Sequence, residues 1–203
     1  MRCRTEVVPP RRRLVANQEN VPMREDGIKR FVSERFQARL AARPDPHFAS
    51  WHTVSAADGA LGATLGYRGA TEERLFLETY LDAPIEAVAS RALRREVGRA
   101  RIVEIGCLAA ISPPALVRLW AESAVAFAGQ YDVAVATLSA SLRRLIIRAG
   151  VPIVELAPAD PARIAEPERW GSYYDDAPMV CAGWTHSGAA GLGRFRARAR
   201  RAA

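Results

Sequence analysis

Apolar positions at Ile28, Phe31, Val32, Phe36 and Leu40, with Lys29, Arg30, Glu34 and Arg35 between them, have the spacing of a helix with one buried face over residues 28–42. Pro44 and Pro46 end it, and residues 47–55 then offer Phe48, Trp51 and Val54 to a core from an extended segment. A turn at 56–59 and an apolar run at 61–67 predict an antiparallel hairpin. Residues 74–81 lead to Asp82, a predicted cap for a helix with Pro84 in its first turn that runs to about Arg95. Residues 101–110 are apolar on both sides of Glu104 without helical period, which predicts a strand buried on both faces. Ser112 caps the next helix, Pro113 and Pro114 open it, Val117, Trp120, Ala121, Ala124 and Phe127 form its inner face, and Gly129 stops it. A strand at 132–138 follows, and strand, helix and strand in this order predict a parallel pair. The pattern then repeats. Ser139 or Ser141 caps a helix facing inward through Leu142, Leu145, Ile146 and Ala149, Gly150 ends it, and 151–156 is another strand. Residues 158–168 read as loop, 170–175 as an aromatic turn and 178–184 as a last strand. The whole predicts an α/β fold with a mixed central sheet flanked by helices, and ligand space where strands part or end.

At 203 residues and 49% apolar composition, the chain holds one core. The folded domain is expected at 28–184, with basic, flexible segments at 1–27 and 185–203, where glycine, alanine and arginine predict no fixed structure. The net charge of +7 lies at the ends: residues 1–13 carry +4 and 194–201 carry +5, leaving −2 for the body. A specific nucleic-acid role is therefore not expected, and the arginine tail reads as a solvated arm. No uncharged apolar run reaches the length of about 18 residues needed to cross a membrane, and the basic start lacks the apolar stretch of an export signal. Cys3, Cys107 and Cys181 are odd in number and without metal spacing, so reduced thiols and a cytoplasmic location are expected.

Glu104 is the first candidate for chemistry. A carboxylate in a strand buried on both faces either pairs with an arginine, such as Arg94, Arg95 or Arg101, or has its pKa raised toward that of a general base. Glu78, Tyr80 and Asp82 share one face if their segment is extended, and three polar groups there could orient a substrate. Trp170, Tyr173 and Tyr174 concentrate rings and hydrogen-bonding tips that suit a pocket wall or a packing plug. His47, His52 and His186 have no metal-ligand spacing, no phosphate-binding glycine loop follows a strand, and no nucleophile elbow is present. Neither a metal nor a tightly bound cofactor is expected.

The blocks at 75–86, at 102–109 and at 170–175, in this order and spacing, resemble the thermostable hemolysin family over roughly residues 28–184. That resemblance implies the fold of GNAT-like N-acyltransferases, more loosely similar to acyl-homoserine-lactone synthases. It implies Glu104 as base or amine-orienting acid, and a cleft where its strand splays from residues 133–137. It also implies an acyl thioester, acyl-ACP or acyl-CoA, as cosubstrate, contacted at Leu108 and Ala109, with Arg143 and Arg144 available for anions and a small amine as acceptor. Coenzyme A users place a glycine-rich loop after this strand, whereas here the loop reads Ala110, Ile111, Ser112, Pro113, Pro114 and Ala115, which favours an acyl carrier protein. The alternatives are the membrane-active protein of the family's name and a non-catalytic binding protein of the same fold.

Overall fold

The structure, a computed structural model, describes residues 25–45, 47–48 and 50–201, with side chains described as far as Phe195. The expectation for the basic start therefore lies, over residues 1–24, outside the described residues. Among the described residues five α-helices and six strands follow in the order α1 (Glu25–Leu40), β1 (Ser50–Ser55), β2 (Leu61–Gly69), α2 (Ile85–Leu93), β3 (Ile102–Ala110), α3 (Pro113–Ala128), β4 (Val133–Leu138), α4 (Ala140–Arg148), β5 (Val154–Pro158), β6 (Met179–Trp184) and α5 (Thr185–Arg201). The strands form one sheet in the order β1-β2-β3-β4-β6-β5, in which β3 and β4 are parallel and the other neighbours antiparallel.

The helix caps follow the sequence closely. Ser112 Oγ accepts the Ala115 N–H at the start of α3, and Ser139, not Ser141, caps α4 by accepting the Leu142 N–H, each at 3.4 Å. Two features depart from the pattern. β5 does not add next to β4, because β6 inserts between them and pairs with both. Residues 185–201, expected to lack structure, form α5 instead. Its inner face, Leu192 and Phe195, packs into a cluster with Trp120 and Ala121 of α3 and Ala149. A Cβ on Gly191 would lie 2.2 Å from the Gly150 carbonyl oxygen, so the small residues that look like low complexity are what lets α5 approach the turn after α4.

The start of α2 is also built differently. Residues Phe76–Tyr80 coil into a 3-10 turn rather than an extended segment. Glu78 consequently points inward, where its carboxylate accepts the N–H groups of Leu75 and Ile85, each at 3.0 Å, and a bidentate pair from Arg99 at 2.7 and 2.8 Å. It is thus Glu78 that satisfies the first N–H of α2. Asp82, the expected cap, is solvent-exposed and pairs with Arg163 at 2.7 Å. The Arg99 guanidinium beside Glu78 lowers its pKa to about 2, with the two backbone N–H donors adding to the effect against the cost of burial.

One core lies on the α2 side of the sheet, where Leu75, Leu77 and Ile85 meet Ile102, Val133 and Val180. The other lies under α3, where Leu119 and Phe127 meet Val54, Leu65 and Val103. On the first side the segment Pro167–Asp176 closes over the sheet and latches to α1. The Arg43 N–H donates to Arg169 O at 2.7 Å, and Ser172 Oγ donates to Leu40 O at 3.3 Å. Gly171 sits between them at φ 53°, ψ −127°, and a Cβ there would lie 2.0 Å from Leu40 O.

Gly171→Ala should therefore lower the unfolding free energy by about 2 kcal/mol, since it combines a glycine-only backbone conformation with a backbone clash. Urea denaturation measures it, and an unchanged midpoint would contradict the latch. Glu78→Gln should cost about 2 kcal/mol at pH 7 by removing the charge opposite Arg99. Because the folded pKa is depressed, the stability that ionised Glu78 contributes is complete above the unfolded carboxylate pKa of about 4.3 and is lost as pH falls toward about 2. The gap between variant and wild type should accordingly shrink from pH 5 to pH 2 in denaturation curves taken across that range.

Candidate active site

β3 and β4 pair over only three positions, Ile102 with Val133, Val103 with Ala134 and Glu104 with Val135, although both strands continue past the last pair. The cause lies on the other side of β3. Thr64 pairs with Ala109 and Gly66 with Gly106, so Leu65 faces two residues, Cys107 and Leu108. This is a β-bulge, with Cys107 at φ 49°, and a bulged strand bends away from its partner. A fork results, and a cavity of about 710 Å³ occupies it, within the size range of small-molecule sites. Its sides are residues 106–110 and 134–138, and α3 contributes Leu116, Trp120, Ser123, Ala124 and Phe127. The walls are mostly apolar. Burial pushes the Cys107 thiol up to about 12, which keeps it protonated at neutral pH.

Glu104 stands at the closed end of the fork, 4% exposed. Its partner is Arg68, directly across the β2–β3 ladder, and none of the arginines expected from the sequence. Arg68 Nε donates to Oε2 at 2.7 Å, the Phe76 N–H donates to the same oxygen at 3.3 Å, and the Leu77 N–H donates to Oε1 at 3.0 Å. Burial raises the Glu104 pKa above the ordinary carboxylate value, opposed by Arg68 and by the two N–H donors. One oxygen thus carries two donors and the other one, leaving a lone pair of Oε1 for an incoming hydrogen.

Arg68 is held in turn from three sides: by Glu104, by Glu73, and by the ring of Phe48, whose centroid lies 4.5 Å from its guanidinium carbon. Phe48 rests on the cross-strand pair Gly66 and Gly106, where a Cβ on either glycine would come within 2.5 Å of the ring. No larger residue fits at those two positions without moving the ring.

An aromatic wall covers the same side. Phe76 stacks on Trp170 at 5.6 Å, Trp170 packs on Tyr173 at 5.5 Å, and the Tyr80 and Tyr174 hydroxyls hydrogen-bond to each other at 2.7 Å. Tyr173 OH donates to Thr137 O at 3.0 Å and so ties the wall to β4. Burial raises the pKa of Tyr80, Tyr173 and Tyr174 alike, so all three are neutral phenols.

Of the residues singled out from the sequence, Glu104, Tyr80, Trp170, Tyr173, Leu108 and Ala109 line the cavity. Tyr174 meets it through Tyr80. Glu78 and Asp82 do not line it with Tyr80: Glu78 is held inward by Leu75, Ile85 and Arg99, and Asp82 is exposed and paired with Arg163. Arg143 and Arg144 do not reach it either: Arg143 donates to Leu138 O and Ala177 O and pairs with Glu155, and Arg144 donates to Ser141 Oγ. Arg35, Arg39, Arg43 and Arg169 line its outer part instead. Among the described residues no group of three or more His, Cys, Asp or Glu is placed to hold a metal ion.

Sequence reasoning missed Arg68 and Phe76 as parts of the site, and gave Phe48 to the core alone. The signal for Arg68 was a charged residue closing an apolar strand, and for Phe48 a glycine in each of two paired strands. At the start of α3, Pro113 and Pro114 have no N–H, Ala115 donates to Ser112 Oγ and Leu116 to Ser112 O, so no donor in the first turn is open to a pyrophosphate.

Comparison with solved structures places this architecture among GNAT-like acyltransferase folds. TofI, solved in a ternary complex with an inhibitor and MTA, is 14% identical, with 84% of this chain and 91% of that one covered at a TM-score of 0.56. FeeM, an N-acyl amino acid synthase from uncultured soil microbes, is 17% identical over 84% and 95% of the two chains, with a TM-score of 0.55. BjaI, a CoA-dependent acyl-homoserine lactone synthase solved with SAM and isopentyl-CoA, is 11% identical over 84% and 83%, at 0.52. These likenesses are of fold. No curated protein matches the chain. Residues 18–189 match the family model for thermostable hemolysin, which covers the fork, the Glu104 strand and the aromatic wall together, and the chain belongs to that family.

Proposed function

We propose that the chain is an acyltransferase that moves an acyl group from a carrier thioester to a small amine. The observation that carries this reading is the fork: two parallel strands part at Glu104 and leave unpaired strand edges facing an apolar cavity. An extended donor arm suits such edges, because it can hydrogen-bond to them as an added strand would. The acyl chain suits the apolar walls. The thioester carbonyl then lies near the closed end, beside the only carboxylate in β3.

In the transfer the amine nitrogen attacks the thioester carbonyl, the carbon–sulfur bond breaks, the amide forms and the thiol leaves with one proton. Glu104 accepts the proton that the amine loses, through the lone pair of Oε1 that its three donors leave open, and passes it to the departing thiolate. Its raised pKa brings it nearer to that task, and Arg68 with the two amides keeps it oriented. Tyr80, Trp170 and Tyr173 wall the acceptor side. The donor favoured is an acyl carrier protein, because the first turn of α3 has no free N–H for the diphosphate of coenzyme A. FeeM and BjaI share the fold while differing in product, so the fold alone selects neither donor nor acceptor.

Thiol release from acyl carrier protein thioesters in the presence of an amine pool tests this reading. Wild type should turn over carrier thioesters faster than the matching coenzyme A thioesters. Glu104→Gln should reduce kcat by about 100-fold or more with the near-ultraviolet circular dichroism unchanged. The wild-type rate should fall on the acid side through a pKa above the usual carboxylate range of about 4, since the base works only when ionised. No turnover with any donor would sink the enzymatic reading. No helix among the described residues is long and apolar enough to cross a membrane, and dye leakage from liposomes at micromolar protein would support the lytic reading in its place.

A further inference from the structure

The cavity is lined from both faces of the sheet, and its two sides differ in chemistry. Toward α3 and α5 the lining is apolar, with Leu116, Trp120, Leu145, Ile146 and Leu192. Toward α1 and the Pro167–Asp176 segment it carries Arg35, Arg39, Arg43 and Arg169. The two segments that supply these cations are tied together, since the Arg43 N–H donates to Arg169 O. Arg35 and Arg39 lie one turn apart on α1, where like charges weaken a helix. The helix dipole accounts for a cation in the last turn of α1, but not for four from two segments. Arg169 pairs with Glu166 at 3.0 Å, Arg43 is bonded to the neutral Gln37, and Arg35 lies over the ring of Phe31. The other acids of the lining are engaged elsewhere: Glu104 with Arg68, Asp45 with His47, and Asp176 with the Ser141 N–H. Among the described residues, Arg35, Arg39 and Arg43 therefore stand beside the cavity without a carboxylate partner.

We propose that these arginines receive an anion borne by the acceptor, so that the acceptor is an amine with a carboxylate, such as an amino acid, and the product an anionic N-acyl amphiphile. This rests on the acyltransferase reading and names its acceptor class more narrowly. Glu104 is bonded to the Phe76 and Leu77 N–H groups, and Phe76 stacks on Trp170, the neighbour of Arg169, so acid, aromatic wall and arginines share one face of the sheet. An amine at Glu104 can then extend its anion past the wall to the guanidinium groups, while the acyl chain crosses the fork to the apolar side. Each guanidinium presents paired donors that match a carboxylate. The same positive charges disfavour the protonated ammonium, which leaves more of the amine in the neutral form that attacks. The phosphate of a carrier's arm is the other anion that the reaction brings, and it has the same chemistry.

The test is equilibrium binding of N-lauroyl glycine, leucine and phenylalanine, each as the free acid and as the carboxamide, and of the lauroyl thioesters of pantetheine and phosphopantetheine. The proteins are wild type, the double variant Arg39→Gln with Arg169→Gln, and a control of equal charge, Arg94→Gln with Arg118→Gln, whose positions are exposed and outside the cavity lining. Wild type should bind at least one acid about tenfold more tightly than its carboxamide, the gain expected of a charge-assisted hydrogen bond. The Arg39 and Arg169 double variant should lose that preference while keeping its affinity for the carboxamide and its melting temperature, and the control should keep the preference. A wild type that prefers no acid overturns the proposal, as does a preference that survives in the double variant or is lost equally in the control. A preference for phosphopantetheine over pantetheine that the double variant loses also overturns it, by assigning the arginines to the donor. Should the acid preference and its loss hold while no thioester is turned over, the transfer reading fails and the anion site stands. Turnover without the preference leaves the transfer reading and overturns this one. Failure of every probe to bind overturns the proposal as well, and thioester turnover then decides the transfer reading by itself.

Discussion

The charge of Glu104 is compensated inside the protein, by one guanidinium and two backbone amides, and much of the site is arranged around that requirement. A carboxylate at 4% exposure is costly unless each oxygen finds a donor. Arg68 supplies one from the facing strand, and Phe76 and Leu77 supply the others from a separate turn. The Phe76–Tyr80 turn is thereby fixed over the end of β3, and with it Phe76 and Tyr80, the rings that begin the aromatic wall. The same turn is anchored at its other end by Glu78 to Arg99 and to α2. Two acids 26 positions apart thus hold one short segment from opposite sides, one facing the cavity and one facing the core.

Orientation of Arg68 depends in its turn on Phe48 and on two glycines. The ring lies flat on Gly66 and Gly106 and beneath the guanidinium, so strand positions without side chains are filled by an aromatic ring from outside the sheet. Such a seat covers backbone that would otherwise be open to water and leaves the arginine little freedom away from Glu104. The bulge that opens the fork begins one residue beyond Gly106. Ion pair, seat and fork therefore fall within four residues of one strand, Glu104 to Cys107.

What could be read from the sequence was local. Apolar spacing found the helices and strands, and Ser112 and Ser139 announced their caps, because a cap is decided within three or four residues. Glu104 stood out because a lone acid in an apolar strand is visible without a partner. Its partner was not visible: Arg68 is 36 positions away, and with 29 lysines and arginines in the chain only the β2–β3 register selects it. Asp82 looked like the cap of α2 because it precedes Pro84, yet the 3-10 turn carried Glu78 to that place. Gly188 and Gly191 looked like low complexity because close packing of α5 on the turn at Gly150 leaves no hydrophobic signal. The Cys107 bulge had no signature either, since a non-glycine residue at positive φ is imposed by the strands around it.

The fork divides the sheet into two three-stranded blocks, β1-β2-β3 and β4-β6-β5, joined through three rungs of a parallel ladder. A molecule lying between the parted strands completes the seam in the middle of the sheet. Its binding free energy then adds to the cohesion of the two blocks, so occupancy of the site and resistance to unfolding are linked quantities. The sheet is in this sense assembled around a missing strand, and a molecule bound in the fork would serve, for as long as it stayed, as part of the architecture.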